Sequence, residues 1–256
     1  MKTVILFLFF WPVLAIGQIP TQLEIVDSAN YYLEQAQILQ QTGKFEEAVI
    51  KFKKAAEIKP DLSLAYIGWM GACFQAGQID QGLGALDKWV ELNPVDTLAW
   101  LYKGFAEAEA GHPDKALAAF NRLIELQPEK TDNYIGKGQM LYALQRYDEA
   151  MIAFDTFLSA DSSRWDVWGM QAATLSRLRK DKEAVSAINK AIAIAPDEVS
   201  NIYNRACIYS ILGDKEKALS DLKMAIAIDP SFKNQATSDP DFASLYEDAD
   251  FIELTK

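Results

Sequence analysis

The chain has 256 residues, with 36 acidic and 25 basic side chains, one histidine and a net charge of −11. That balance speaks against nucleic-acid binding, which needs a basic face. One histidine and two isolated cysteines leave the usual catalytic bases and nucleophiles nearly absent, while an apolar half of the residues is ample for packed helices.

Residues 1–17 read MKTVILFLFFWPVLAIG. Lys2 precedes an apolar run that ends in Ala15-Ile16-Gly17, with small residues where a signal peptidase inspects the chain. About 14 residues of helix span only about 21 Å, short of a bilayer core of about 30 Å. The segment reads as a secretory signal peptide cleaved after Gly17, which leaves no stable membrane span and places the mature protein in the periplasm or outside the cell. Loss of Lys2 leaves 24 basic against 36 acidic residues, a net −12. Residues 18–28 form a lead-in whose Thr21 and Glu24 match a capping box, so the first helix starts ahead of residue 29.

From residue 29 the chain repeats itself. The stretch from Tyr203 to Pro230 has apolar residues at helical spacing, a break at Gly213 and a stop at Pro230, which predicts two amphipathic helices joined by a short turn. The closing position recurs at Pro60, Pro94, Pro128, Ser162, Pro196 and Pro230, every step 34 residues. A fixed period in this range marks a stacked array of repeats. The frame gives six units: 29–62, 63–96, 97–130, 131–164, 165–198 and 199–232.

Three positions carry the packing. The eighth is Ala36, Met70, Gly104, Gly138, Ala172 and Ala206; the twentieth is Ala48, Gly82, Ala116, Ala150, Ala184 and Ala218. Small residues there let the two helices of a unit approach closely. The twenty-fourth is Phe52, Leu86, Phe120, Phe154, Ile188 and Leu222, large enough to fill the groove between them. Gly43, Gly77, Gly111 and Gly213 supply the left-handed residue that ends the first helix. Gln145 and Arg179 stand there instead in units four and five, so those turns are strained or differently shaped. Unit two exchanges large and small residues, with Met70 at position eight and Trp89 at twenty-seven, which shifts its helix contacts.

The pattern resembles the tetratricopeptide repeat over about four fifths of the chain. The resemblance implies an all-α fold, a right-handed α-solenoid of about six helix–turn–helix repeats. It also implies a binding groove on the side lined by each repeat's first helix. The inward positions hold Ile67, Phe74, Leu101, Tyr102, Phe105, Ile135, Gln139, Tyr142, Met170, Tyr203 and Asn204, an apolar and aromatic stripe suited to a partner's apolar anchors. Gly68, Gly71, Gly136 and Gly169 open room beside the rings. Position two carries no cation, so the carboxylate clamp of the chaperone-binding members is missing.

His112, in the turn GHPD, reads as a solvated loop residue, and Pro113 suits the first turn of the next helix. Cys73 and Cys207, in units two and six, read as small buried apolar residues. After the repeats, residues 233–256 read as a capping segment built on Phe242, Leu245, Tyr246, Phe251 and Leu254, because the last apolar face must be covered. Asp239, Asp241, Asp248 and Asp250 lack the spacing of a calcium loop and read as helix-start carboxylates. No P-loop, HExxH or metal-spaced Cys/His set is present, and no cofactor or metal is expected. The expectation is a non-catalytic scaffold that holds a protein or peptide. A carrier of an apolar small ligand and a self-associating structural subunit are the alternatives.

Overall fold

A computed structural model describes the chain from Gln22 to Lys256. The signal segment and the capping residue Thr21 lie outside the described residues. Every regular element among the described residues is helical. The helices are α1 (Gln22–Gln41), α2 (Phe45–Ile58), α3 (Ser63–Gln75), α4 (Ile79–Leu92), α5 (Thr97–Glu109), α6 (Pro113–Leu126) and α7 (Asn133–Ala143). They continue with α8 (Tyr147–Ala160), α9 (Trp165–Arg177), α10 (Asp181–Ile194), α11 (Val199–Ile211) and α12 (Lys215–Ile228). Two short helices, α13 (Phe232–Ala236) and α14 (Ala249–Thr255), flank a 3₁₀ turn at Pro240–Leu245.

The chain divides into two compact units, one ending at Gln78 and the other beginning at Ile79. The division falls in the turn between the two helices of unit two. In the first compact unit α2 packs on both α1 and α3. In the second, α5 through α12 pack as consecutive antiparallel neighbours.

The turns share one hydrogen-bonding pattern. After each first helix the chain makes a six-residue closure, such as Lys44 N–H to Leu39 O at 2.9 Å and Asp214 N–H to Tyr209 O at 2.9 Å. This closure needs a left-handed residue just before the donor. Glycine takes it at Gly43, Gly77, Gly111 and Gly213, with φ between 73° and 79°. Gln145 and Arg179 are forced into the same geometry, at φ 59° and 58°. Those turns therefore keep the common shape and carry the strain of a side chain in the left-handed region. At the far end of the second helices the residue before proline is driven out of helical geometry, as at Lys59 (ψ 90°) and Asp229 (ψ 105°).

The core is the predicted one at position twenty-four: Phe52, Leu86, Phe120, Phe154, Ile188 and Leu222 are all at most 2 % exposed. The glycines of the first helices serve this core. A Cβ on Gly136 would stand 2.5 Å from the Phe120 ring, and one on Gly104 would stand 3.0 Å from the same ring. Phe120 is thus held between two successive first helices. Gly138 approaches Phe154 of its own repeat at 2.5 Å, and Gly68 approaches Phe52 of the repeat before at 2.2 Å, each matching one half of that arrangement. The expectation that Gly68 and Gly136 open room in a groove is corrected: both are spent on close helix approach.

Polar contacts add a second register in the unit beginning at Ile79. Lys103 pairs with Asp87, Gln171 Nε2 donates to Asp155 Oδ1 at 2.6 Å, and Arg205 Nη1 donates to Asn189 Oδ1 at 2.8 Å, each across 16 residues. Each contact ties position seven of one repeat to position twenty-five of the one before. Asp96 joins neighbouring helices differently. Its Oδ1 caps α5 by accepting from Leu98 and Ala99 N–H, while its Oδ2 accepts from Trp89 Nε1 at 3.1 Å. His112 is not simply solvated: its Nδ1 lies 2.8 Å from Oε2 of Glu107, which is 2 % exposed.

Substitutions at the turns and beside the ring test this packing. Gln145→Gly and Arg179→Gly should each stabilise the fold by about 1 kcal/mol, the strain of a left-handed non-glycine residue; equal or lower denaturation midpoints would refute the strain. Gly136→Ala should destabilise it by about 1–3 kcal/mol, because the Phe120 ring has no free space to yield, with urea unfolding as the readout.

Candidate functional site

Within the unit beginning at Ile79, α5 approaches α7, α7 approaches α9 and α9 approaches α11. The second helices do not approach one another to that extent among the described residues. The layer of first helices is therefore the inner side, and the candidate site lies on it.

Within this unit the inward residues divide into three groups. Phe105 is 54 % exposed and meets the core through an edge-on contact with Phe120, ring centroids 5.5 Å apart. Tyr102 stands half-buried with its ring 6.3 Å from Trp89, and Leu101 packs partly against the Phe120 cluster. Next along the face, Ile135 on α7 is half-buried, and Gln139 Nε2 reaches Met170 Sδ at 3.5 Å on α9. Gln139, Tyr142, Phe154, Met170 and Ala173 together line an apolar cavity of 170 Å³. Ile67 and Phe74 belong to the first compact unit, where both are half-buried on α3.

The third group overturns part of the expectation. Tyr203 is only 2 % exposed, so it is not open to a partner. Its ring stacks on Phe232 at 4.6 Å and meets Phe242 edge-on at 5.7 Å, both from the C-terminal segment. That segment lies against α11 and shares a core in which Phe242 and Phe251 are at most 2 % exposed. The chain's own end thus fills the inner face at the sixth repeat. Asn204, its neighbour, stays exposed beside this contact.

Around the junction lies a polar cluster that sequence spacing did not reveal. Tyr203 OH donates to Asp239 Oδ2 at 2.8 Å, and Cys207 Sγ sits 3.7 Å from the same oxygen. Arg177 Nη2 donates to Asp241 Oδ1 at 2.8 Å, while its Nε donates to Tyr142 OH at 3.2 Å. These partners are as many as 64 residues apart, so no local pattern joins them. Burial first, then the neighbouring negative groups, push the Tyr203 phenol and the Cys207 thiol well up, keeping both neutral. The hydrogen bond to Tyr142, with the charge of Asp241, holds the Arg177 guanidinium firmly protonated. Asp239 also caps the 3₁₀ turn through Asp241 N–H, and Asp248 caps α14 through Asp250 and Phe251 N–H. The helix-start reading of these carboxylates therefore holds. For Asp239 and Asp241 it is only half of their role.

Among the described residues no helix is long and apolar enough to cross a membrane. No curated protein matches the sequence. Models of the tetratricopeptide repeat match residues 29–62, 74–131, 106–164, 166–198 and 199–232. Among solved structures, a tetratricopeptide repeat protein from Parabacteroides merdae shares 18 % identity, with 90 % of this chain and 98 % of that one covered at a TM-score of 0.67. YrrB, described as a TPR protein with an unusual peptide-binding site, shares 21 % identity over 70 % of this chain and 92 % of its own, TM-score 0.55. MamA from Desulfovibrio magneticus shares 17 % over 65 % of this chain and 94 % of its own, TM-score 0.59. At these identities the likeness speaks for the fold alone. With the helical hairpins, the left-handed turns and the repeat models agreeing over most of its length, the chain belongs to the tetratricopeptide repeat family.

Proposed function

We propose that the protein is a non-catalytic interaction scaffold, secreted or periplasmic, that takes a segment of a partner protein along the first helices of repeats three to five. The observation that carries this reading is the apolar face left open there. Phe105 projects with more than half its surface in water, and beyond it lies the cavity of Gln139, Tyr142, Phe154, Met170 and Ala173. Large exposed aromatics beside a small apolar cavity are what a partner's anchor side chains fill. Gln139 and the Tyr142 hydroxyl supply polar groups at the rim, suited to orienting a backbone. The peptide-binding site in the description of YrrB supports a peptide as the kind of partner.

The test is photo-crosslinking in the native host, with a photoreactive phenylalanine at Phe105 and, separately, at Gln139. The reading expects both positions to capture the same protein. Phe105→Ala with Met170→Ala should lower that capture at least ten-fold and leave the circular-dichroism melt within a few degrees. Capture that is unchanged by the double substitution, or a small molecule found bound in native mass spectrometry in place of a protein, would falsify it.

The export reading has its own measurement. N-terminal sequencing of the protein recovered outside the cytoplasm should begin at Gln18; a chain retained with Met1 or Lys2 at its start would refute cleavage.

A further inference from the structure

We propose that Cys207, Asp239 and Asp241 form a divalent-cation site of the zinc type, which pins the C-terminal segment to α11. One sulfur and two carboxylate oxygens from these residues all lie within 4.8 Å of one another. Cys207 Sγ and Asp239 Oδ2 are 3.7 Å apart. A tetrahedral ion with metal–sulfur and metal–oxygen bonds of about 2.3 and 2.0 Å sets that separation at roughly 3.5 Å. The pair is thus almost in place, and small rotations of Asp241 complete a three-ligand set.

The donor chemistry selects the ion. A thiolate ligand favours zinc and its neighbours over magnesium or calcium, which take oxygen. Charge agrees. A thiolate and two carboxylates carry three negative charges against the one positive charge of Arg177, which holds Asp241 at 2.8 Å. A dication balances the remainder. Binding exchanges the Sγ–H proton of Cys207 for the metal–sulfur bond, and the proton leaves to solvent. The ligands also have the outer partners that fix orientation in metal centres: Tyr203 OH donates to Asp239, and Arg177 to Asp241.

A separate observation points to the same place. Cys207, Asp239 and Asp241 line a cavity of 140 Å³, and Ser176 lines it with them. Ser176 is 3 % exposed and its Oγ has no hydrogen-bond partner. An unpaired buried hydroxyl is costly. A three-ligand ion keeps a fourth position for water, and the cavity is several times the roughly 15 Å³ one water needs. The Ser176 side chain and that fourth position thus border the same cavity.

The experiment uses the full mature chain, stripped with chelator and titrated with cobalt(II). One equivalent should raise a thiolate-to-cobalt charge-transfer band, abolished by stoichiometric zinc. The band should survive Cys73→Ser, which removes the only other thiol, and vanish in Cys207→Ser. Zinc should raise the melting temperature of the parent chain and leave that of Cys207→Ser unmoved. Should Cys207→Ser not fold, Asp241→Asn decides, with an expected loss of zinc affinity of ten-fold or more. No band at one equivalent, or a band and affinity unchanged by these substitutions, overturns the site.

Discussion

The arrangement depends on how closely one first helix can approach the next across a buried ring. Phe120 is the clearest instance, with Gly104 on one side and Gly136 on the other, so that neither helix presents a Cβ to the phenyl. Close-packed interiors tolerate neither a gap nor an added methyl at such a contact. Residues without side chains thus fix the spacing of the first helices, and this spacing makes them the inner layer. The second helices meet one another less.

That inner layer could still slide, since a stack of apolar rings specifies distance better than register. The contacts of Lys103 with Asp87, Gln171 with Asp155 and Arg205 with Asn189 supply what the rings lack. They are chemically unlike one another: an ion pair, a charge-assisted amide contact and a guanidinium–amide contact. Their common position in the repeat matters more than their strength, because surface pairs of this kind contribute only about 0–1 kcal/mol each. Asp96, which caps α5 and accepts from Trp89 with its other oxygen, does the same work where unit two replaces a small residue with an indole.

What the sequence made legible was what repeats locally. The left-handed turns, the proline stops and the buried position twenty-four depend on residues within a few places of one another, and a fixed period multiplies that signal. Gly68 and Gly136 depart from expectation because a helical period says which side a residue lies on. It does not say whether the neighbour on that side is water or a ring. His112 departs for a similar reason: its partner Glu107 lies on the helix before, at a position where several other repeats carry an apolar residue, and the two pair only once the turn has formed. Tyr203 is beyond reach of any repeat logic, since its neighbours Phe232 and Phe242 come from the segment that closes the array.

That segment decides how much of the inner face is open. A repeat array has to end, and the sixth repeat would otherwise show Ile202, Tyr203 and Leu222 to water; burying each such side chain is worth about 1.5–3 kcal/mol. The chain closes the end with Phe232, Phe242 and Phe251, and in doing so lays Asp239 and Asp241 against Arg177 and Cys207. An apolar cap alone would need no carboxylates there. Asp239 spends one oxygen on starting a turn and the other on the Tyr203 phenol, while Asp241 reaches back past repeat six to Arg177 in repeat five. Arg177 in turn holds the hydroxyl of Tyr142, on the wall of the apolar cavity. The closed end and the open face are therefore joined through one guanidinium, so the state of the cap bears on the orientation of a groove residue.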